Sequence, residues 1–178
     1  MNEPIFWKDK NGHSYSSYPP TTYLTFDYSI YMVPQYKPES ILILGYAGGT
    51  VAGLIRLLYG DVPITGVDTE PCEDRYNVNF VQANAKEFVK TCGKFDAVIV
   101  DLFSTEDCSI PCDFVSSEEF VTDLKKIANY IIVNALHSDM SVYTKTFRKM
   151  GINKPSESAE SIYYYEVNDP IPNLHPWK

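Results

Sequence analysis

The chain has 178 residues and a mass of 20.2 kDa, which suits one domain with a sizeable core and is short for two. Its formal net charge of -8 and pI near 4.8 disfavour binding to a phosphate backbone, and no apolar run approaches the roughly 20 residues that span a bilayer. The acidic charge makes a small molecule the expected substrate. The first residues lack the charged and apolar regions of a signal peptide, so the cytoplasm is the expected location.

The first 38 residues form an N-terminal extension with its own pattern. Asn11 and Gly12, a strong signal for a hairpin turn, stand between two β-prone pieces and predict a short hairpin. Leu24, Tyr28 and Tyr31 then recur at helical spacing, which predicts an amphipathic helix that Pro34 ends.

Tyrosine is abundant and gathers at the two ends of the chain, between Tyr15 and Tyr36 and again from Tyr163 to Tyr165. Such clusters pack the flank of a small domain or an oligomer interface more often than they stack on a flat substrate. We therefore favour packing, and a homodimer through these tyrosine-rich segments is the expected assembly.

Strands and helices alternate from residue 39 to 168, the predicted ligand-binding domain. The predicted strands are nearly uniformly apolar, as strands buried on both faces should be. They cover Ser40–Leu44, Pro63–Val67, Val78–Gln82, Ala97–Val100 and Tyr130–Asn134. The predicted helices cover Thr50–Tyr59, Ala85–Cys92, Ser117–Ala128 and Asp139–Met150. This alternation predicts the α/β class, with a mostly parallel Rossmann-like sheet between two layers of helices.

The end of this domain carries its own signals. Ser116 with Glu119 predicts a capping box, and Gly151 predicts a helix stop. Two extended pieces, 152–158 and 160–169, then predict an antiparallel hairpin at the C-terminal end of the sheet. Three prolines in residues 169–178 predict an irregular tail.

The stretch ILILGYAGGTVAGL, residues 41–54, runs from a strand into a helix through Gly45, Ala47, Gly48 and Gly49. Such a turn lets the backbone approach a ligand closely. Asp68 ends the next strand, where an acidic side chain accepts hydrogen bonds from both hydroxyls of a ribose. The turn and the acid together indicate a nucleoside, and they fit nicotinamide and S-adenosylmethionine sites equally well.

Polar residues follow the other predicted strands as well. They are Asn84, Asp101, Ser104, Asn134 and His137. In an open parallel sheet the ligand lies beyond the carboxyl ends of the strands, beside the point where the strand order reverses. We therefore expect these residues to meet at one binding site.

Four segments resemble the class I S-adenosylmethionine-dependent methyltransferases in their order and spacing. They are ILILGYAGGT, ITGVDTEP, NVNFVQANAKEFV and KFDAVIVDLFS. The last of them, followed by SIP and SSEEFVTDLKKI, resembles the spermidine synthase-like branch, the polyamine aminopropyltransferases. The resemblance covers about residues 24 to 167, and it implies the methyltransferase fold and S-adenosylmethionine, or its decarboxylated form, as cofactor.

The resemblance also implies roles for single residues. Gly45, Ala47, Gly48 and Gly49 would face the amino acid part of the cofactor, and Asp68 would hold the ribose. Asn84 and Ala85 would lie beside the adenine. Asp101 would lie near the amino group of the cofactor or the incoming substrate.

Three departures separate the chain from spermidine synthases. Ser104 stands where that family has the aspartate that deprotonates the attacking amine, and a serine cannot take that proton near neutral pH. Asn84 replaces the usual aspartate on the adenine side. Eight residues between Asp68 and Asn77 leave room for two helical turns at most, so the chain is shortened there. The loss of the base at Ser104 favours methyl transfer, which needs mainly alignment, over aminopropyl transfer, and the three departures together suggest a non-catalytic module as a rival.

Several other interpretations stay open. His137 is a candidate general base or simply a residue before a Ser138 helix cap, and we favour the second interpretation. The cysteines, Cys72, Cys92, Cys108 and Cys112, are most simply reduced thiols, and no metal site is expected. A nucleotide-binding oxidoreductase and a non-catalytic module descended from a transferase are the two rival functions.

Overall fold

The computed structural model describes residues 3–20, 28–72, 76–104, 111–135, 140–149, 151 and 162–166. These residues form a two-stranded hairpin and a six-stranded sheet. The hairpin pairs β1 (Ile5–Lys8) with β2 (Ser14–Tyr18) in antiparallel register around Asn11 and Gly12, so the hairpin predicted from the sequence is confirmed.

The central sheet has the order β5-β4-β3-β6-β7-β8. Its strands are β3 (Ile41–Leu44), β4 (Ile64–Asp68), β5 (Asn79–Gln82), β6 (Phe95–Val100), β7 (Ala128–Asn134) and β8 (Ile162–Glu166). The first five are parallel, and β8 is antiparallel to β7. The predicted α/β class with an antiparallel strand at its C-terminal end is confirmed. The other half of the predicted C-terminal hairpin and the tail lie outside the described residues.

Four α-helices are described, α1 (Thr50–Tyr59), α2 (Ala85–Phe88), α3 (Glu118–Ile127) and α4 (Met140–Lys149). Short 3-10 helices cover Ser29–Met32 and Asp113–Ser116. None of the helices in the described part of the chain is long and apolar enough to cross a membrane.

Helices cover both faces of the sheet because its central strands are apolar on both sides. On one face Leu42, Val98 and Ile131 pack against α3, with Phe120 and Leu124 fully buried. On the other face the alternate strand residues pack against α1 and against the 3-10 helix that ends at Met32. The result is a three-layer sandwich whose two apolar clusters share one sheet.

Two local predictions were wrong, and a third is tested only in part. The described part of the predicted helix in the extension is the 3-10 turn Ser29–Met32, and Leu24 lies outside the described residues. Strand β5 is not buried on both faces, since it is the edge strand and exposes Asn79 and Gln82. Helix α2 ends at Phe88, and it is followed by turns in which Lys90 and Thr91 donate to residues three positions back while Cys92 donates four positions back to Phe88.

The cap of helix α3 also differs from the prediction. Ser117, not Ser116, accepts a hydrogen bond from the backbone N–H of Phe120 at 3.2 Å. Ser116 belongs instead to the preceding 3-10 helix, so the cap moves one residue along the chain. The predicted helix stop at Gly151 has the expected left-handed backbone, with φ of 81°.

The register of the sheet places the ends of four strands in one row. Leu44 pairs with both Val67 and Val100, and Val100 pairs with Val133. The next residue on each of these strands therefore falls in a common row at the carboxyl edge of the sheet. That row consists of Gly45, Asp68, Asp101 and Asn134.

Arg56 stabilises the short connection between β4 and β5, where the described residues contain no helix. Its guanidinium donates to the carbonyl oxygens of Tyr76 and Asn77, both at 2.8 Å, and to those of Gly60 and Val62. The side chain is only 17% exposed. One arginine thus joins the end of α1 to the segment that leads into β5.

We expect Arg56→Met to lower the free energy of unfolding by about 2 to 4 kcal/mol, because four carbonyl groups lose a charged donor. Urea denaturation followed by circular dichroism measures the change. Lys126→Met removes a cation from an exposed ion pair and should cost about 0.5 kcal/mol or less. Equal losses for the two variants would contradict the role of Arg56.

Candidate functional site

A cavity of about 900 Å³ opens beyond the carboxyl edge of the sheet. All four residues of the row at that edge line it, namely Gly45, Asp68, Asp101 and Asn134. The connections after β3 run toward β4 and β5, whereas β6 and β7 lie on the other side of β3. The cavity therefore lies where the strand order reverses, the position at which open α/β sheets bind their ligands.

Gly45 allows β3 and β6 to approach each other closely at this point. Its backbone has φ of 82°, and a Cβ placed on it would lie 2.1 Å from the carbonyl oxygen of Asp101. No side chain fits there. The glycine thus has a structural role in addition to any contact with a ligand.

The backbone N–H groups of the glycine turn, residues 45–49, all have acceptors within the protein. Gly45 and Tyr46 donate to the carbonyl oxygen of Val67, and Gly49 donates to that of Tyr46. Ala47 donates to Asp68 Oδ2 at 2.8 Å, and Gly48 donates to Ser16 Oγ at 3.1 Å. This turn consequently has no backbone donor left over for an anionic ligand group.

Asp68 fixes the turn and still has acceptor capacity. Its Oδ2 accepts from Ala47, and its Oδ1 accepts from the N–H of Glu70 at 3.1 Å. A carboxylate offers about four acceptor positions in total. The remaining positions are available to hydroxyl donors in the cavity.

Asp101 lies in the cavity wall between side chains from distant parts of the chain. Asn134 Nδ2 donates to its Oδ1 at 2.9 Å, and a side-chain hydrogen bond joins it to Tyr28. Burial raises the pKa of the Asp101 carboxyl to about 6, the two hydrogen bonds oppose the rise, and the charge of Asp68 adds to it. Asp101 therefore changes its charge closer to neutral pH than an ordinary aspartate does.

The hairpin β1–β2 covers the glycine turn from outside. Trp7 lies directly on Gly48, since a Cβ on that glycine would be 2.2 Å from the indole ring. Ser16 Oγ lies 2.8 Å from Thr50 Oγ1, and Thr50 also accepts from the N–H of Ser17 at 2.9 Å. These buried contacts attach the hairpin to the start of helix α1, so it forms a wall of the cavity.

The structure brings most of the predicted site residues together. Gly45, Ala47, Gly49, Asp68, Asn84, Ala85, Asp101 and Ser104 all line the cavity. Gly48 does not, because Trp7 covers it. Asn84 caps helix α2 by accepting from the N–H of Lys86 at 2.9 Å, a second role beside any contact with a ligand. His137 lies outside the described residues.

Sequence reasoning missed the contribution of the hairpin. Trp7, Asp9 and His13 line the cavity together with residues more than thirty positions away. His13 belongs to no recognisable motif in the sequence, and the Asn11–Gly12 turn is the one signal that could have placed Asp9 and His13 on opposite sides of a loop.

The charge of the cavity wall is strongly negative. Among its described lining residues are five carboxylates and no lysine or arginine. The carboxylates belong to Asp9, Asp68, Glu70, Asp101 and Asp113.

The same wall contains the thiol of Cys112. Burial, together with the negative charges of Asp113 and Asp68, raises the pKa of this thiol, so the cysteine remains protonated and is a poor nucleophile. No group of three or more metal-ligating side chains occurs among the described residues.

The fold matches known structures although the sequence does not. No family model matches the chain, and no curated protein matches it in sequence. Human methyltransferase-like protein 13 in complex with SAH superposes with a TM-score of 0.61 at 13% identity, over 83% of this chain and 82% of that one. The fold is that of the class I S-adenosylmethionine-dependent methyltransferases.

Two further structures have the same methyltransferase fold. Precorrin-6y C5,15-methyltransferase from Geobacter metallireducens has a TM-score of 0.56 at 13% identity, over 89% of this chain and 90% of that one. A spermidine synthase in complex with the transition state analogue AdoDATO has a TM-score of 0.58 at 15% identity, over 86% of this chain and 62% of that one. The superpositions establish the fold. At identities this low they do not separate the spermidine synthase-like branch from other methyltransferases.

We expect Asp101→Asn to stabilise the protein above pH 6 and to have little effect near pH 4. The raised pKa means that the folded state keeps this proton after the unfolded chain has lost it, so ionisation costs stability as the pH rises from about 4 to about 6. The gain at pH 8 is at most about 3 kcal/mol, the equivalent of two pKa units.

Urea denaturation at pH 4, 6 and 8 measures this effect. Asp96→Asn, at the opposite end of β6, is the control variant. It also removes one negative charge from this acidic protein, so its change in stability is subtracted from that of Asp101→Asn. A stability difference that does not grow with pH would contradict the burial of the Asp101 charge.

Proposed function

We propose that this protein is an S-adenosylmethionine-dependent transferase of the spermidine synthase-like group that moves a methyl group to a small molecule. The observation that carries the proposal is the convergence of Gly45, Asp68 and Asp101 on one cavity at the reversal of strand order. The SAH named with the human structure and the AdoDATO named with the spermidine synthase support a nucleoside ligand on this fold.

The residues of the cavity fit such a cofactor. Its volume of about 900 Å³ lies within the range of ligand sites in proteins. Asp68 has acceptor positions for two ribose hydroxyls, and Asn84 with Ala85 begins helix α2 at the adenine side. When bound, the cofactor supplies an activated carbon on a positively charged sulfur.

The residues of the chain would bind and orient rather than react. Asp68 would hold the ribose, and Asp101 would pair with an ammonium group of the cofactor or the acceptor. Asn134 keeps the Asp101 carboxylate in place through its 2.9 Å hydrogen bond. The hairpin, with Trp7 and Tyr15 in the wall, would exclude water from one side of the cavity.

Ser104 favours methyl transfer over aminopropyl transfer. It lines the cavity, and spermidine synthases carry an aspartate at the matching position of the sequence. The residue that acts as base in those enzymes is therefore missing here. Methyl transfer to a good nucleophile depends mainly on alignment, and it tolerates this loss.

Aminopropyl transfer is the second candidate, and the charge of the cavity favours it. The carboxylate of S-adenosylmethionine would face five acidic side chains, without a lysine or arginine among the described lining residues. The decarboxylated form lacks that negative charge. The same acidic wall favours a cationic or neutral acceptor over an anionic one.

Calorimetric titration of the purified protein with S-adenosylmethionine, its decarboxylated form, its demethylated product and NAD tests the proposal. We expect micromolar binding of S-adenosylmethionine or of its decarboxylated form. Preference for the decarboxylated form would favour aminopropyl transfer, and binding of NAD alone would favour an oxidoreductase. Binding of none of these ligands would reject the proposal and favour the non-catalytic module.

Asp68 provides the control for specific binding. Asp68→Ala should weaken binding by at least about tenfold, because hydrogen bonds to a charged group are lost. Asp68→Asn keeps an acceptor for the N–H of Ala47 and separates the loss of ligand contacts from a loss of the turn. Glu70→Gln, another acid of the cavity wall, should change the affinity by less than about threefold.

A further inference from the structure

We propose that His13 accepts the proton that the acceptor molecule releases during transfer, and that Asp9 holds the imidazole in the tautomer this requires. The inference rests on the proposed function, and it assigns to His13 the role of the base that Ser104 cannot provide. It starts from a side-chain pair in the loop of the N-terminal hairpin, at the wall of the cavity.

Asp9 is a buried carboxylate with a fixed orientation. Its side chain is 2% exposed. Oδ1 accepts from the backbone N–H groups of Asn11 and His13, both at 2.9 Å, and Oδ2 lies 3.3 Å from His13 Nδ1. Hydrogen bonds from two backbone N–H groups orient a carboxylate and favour its acceptor-only form.

This arrangement determines which nitrogen of His13 is basic. Because Asp9 Oδ2 accepts, the proton of the neutral imidazole lies on Nδ1, and Nε2 carries the lone pair. In the part of the chain that the structure describes, Nε2 has no hydrogen-bond partner, and the side chain is 75% exposed. A buried acid that orients an accessible imidazole is the arrangement of a general base with its positioning residue.

The hairpin places this pair at the same cavity as Asp101 and Ser104. Ser16 and Ser17, three and four residues after His13, are buried and bound to Thr50 at the start of helix α1. The loop is further closed by the N–H of Asp9, which donates to the carbonyl oxygen of His13 at 3.0 Å. The imidazole is therefore carried by a short loop that is fixed at its base.

The chemistry of the transfer gives His13 its function. A nucleophilic nitrogen or oxygen of the acceptor forms a bond to the transferred carbon, and the bond from that carbon to sulfur breaks, with its electron pair passing to sulfur. The acceptor then loses one proton, which moves to Nε2 and leaves an imidazolium beside Asp9. Ser104 cannot take this proton, and in the proposed function the Asp101 carboxylate is paired with an ammonium group of the cofactor or the acceptor.

The tautomer is measured first, on the full chain without any ligand, by long-range nitrogen–proton NMR of the imidazole rings. His13→Gln assigns the signals, with His137 and His175 as internal references. We expect the Nδ1–H form in the wild-type protein. We expect the Nε2–H form in Asp9→Asn, because the amide nitrogen of asparagine can donate to Nδ1. The Nε2–H form in the wild type, or no change in Asp9→Asn, would overturn the inference.

Transfer from S-adenosylmethionine and from its decarboxylated form to 1,4-diaminobutane is measured next. We expect His13→Gln to lower kcat by about 100-fold or more while donor affinity stays the same, and Asp9→Asn to lower kcat without a matching rise in KM. Lys10→Gln, in the same loop but away from the cavity wall, is the control and should leave kcat unchanged.

The possible outcomes separate the two proposals. Failure of the wild-type protein to bind either donor rejects the proposed function, and the role of His13 falls with it. Donor binding with full transfer by His13→Gln rejects only the role of His13. Donor binding without any transfer by the wild type likewise rejects His13 as a base for amine acceptors and leaves the donor site intact.

Discussion

The close approach of β3 and β6 at Gly45 is the constraint on which the site depends. A Cβ at this position would lie 2.1 Å from the carbonyl oxygen of Asp101, so the two strands can leave the sheet side by side only with glycine there. The parallel register then places Asp68 and Asn134 in the same row. Any shift of one strand would move a carboxylate out of the cavity and turn an apolar residue into it.

The N-terminal hairpin completes this edge of the sheet. Trp7 covers Gly48, and Ser16 binds both the N–H of that glycine and the hydroxyl of Thr50. The hairpin therefore replaces solvent on the outer side of the turn and brings its own polar residues, Asp9 and His13, to the cavity. A small chain thus forms a site with two walls, although the connection between β4 and β5 is short and depends on Arg56.

The sequence predicts the central sheet well because each buried strand has a continuous apolar pattern between turn residues. It also predicts the carboxyl-edge row, since Asp68 and Asp101 directly follow such strands and parallel strands end at one edge. It does not predict that Trp7 removes Gly48 from the cavity, or that Ser16 pairs with Thr50, because these contacts join residues more than thirty positions apart. Edge position, which exposes Asn79 and Gln82, is likewise a property of strand order and not of local pattern.

Charge links these features to the selectivity of the site. Every backbone N–H from Gly45 to Gly49 donates within the protein, so the turn does not act as the anion-binding nest that a strand-to-helix turn often forms. Five carboxylates line the same cavity, and burial already raises the pKa of Asp101 to about 6. A cation that enters lowers the cost of ionising Asp101, whereas an anion raises it. We therefore expect the cavity to favour cations over anions, because five carboxylates line it and the N–H groups of the glycine turn all donate within the protein.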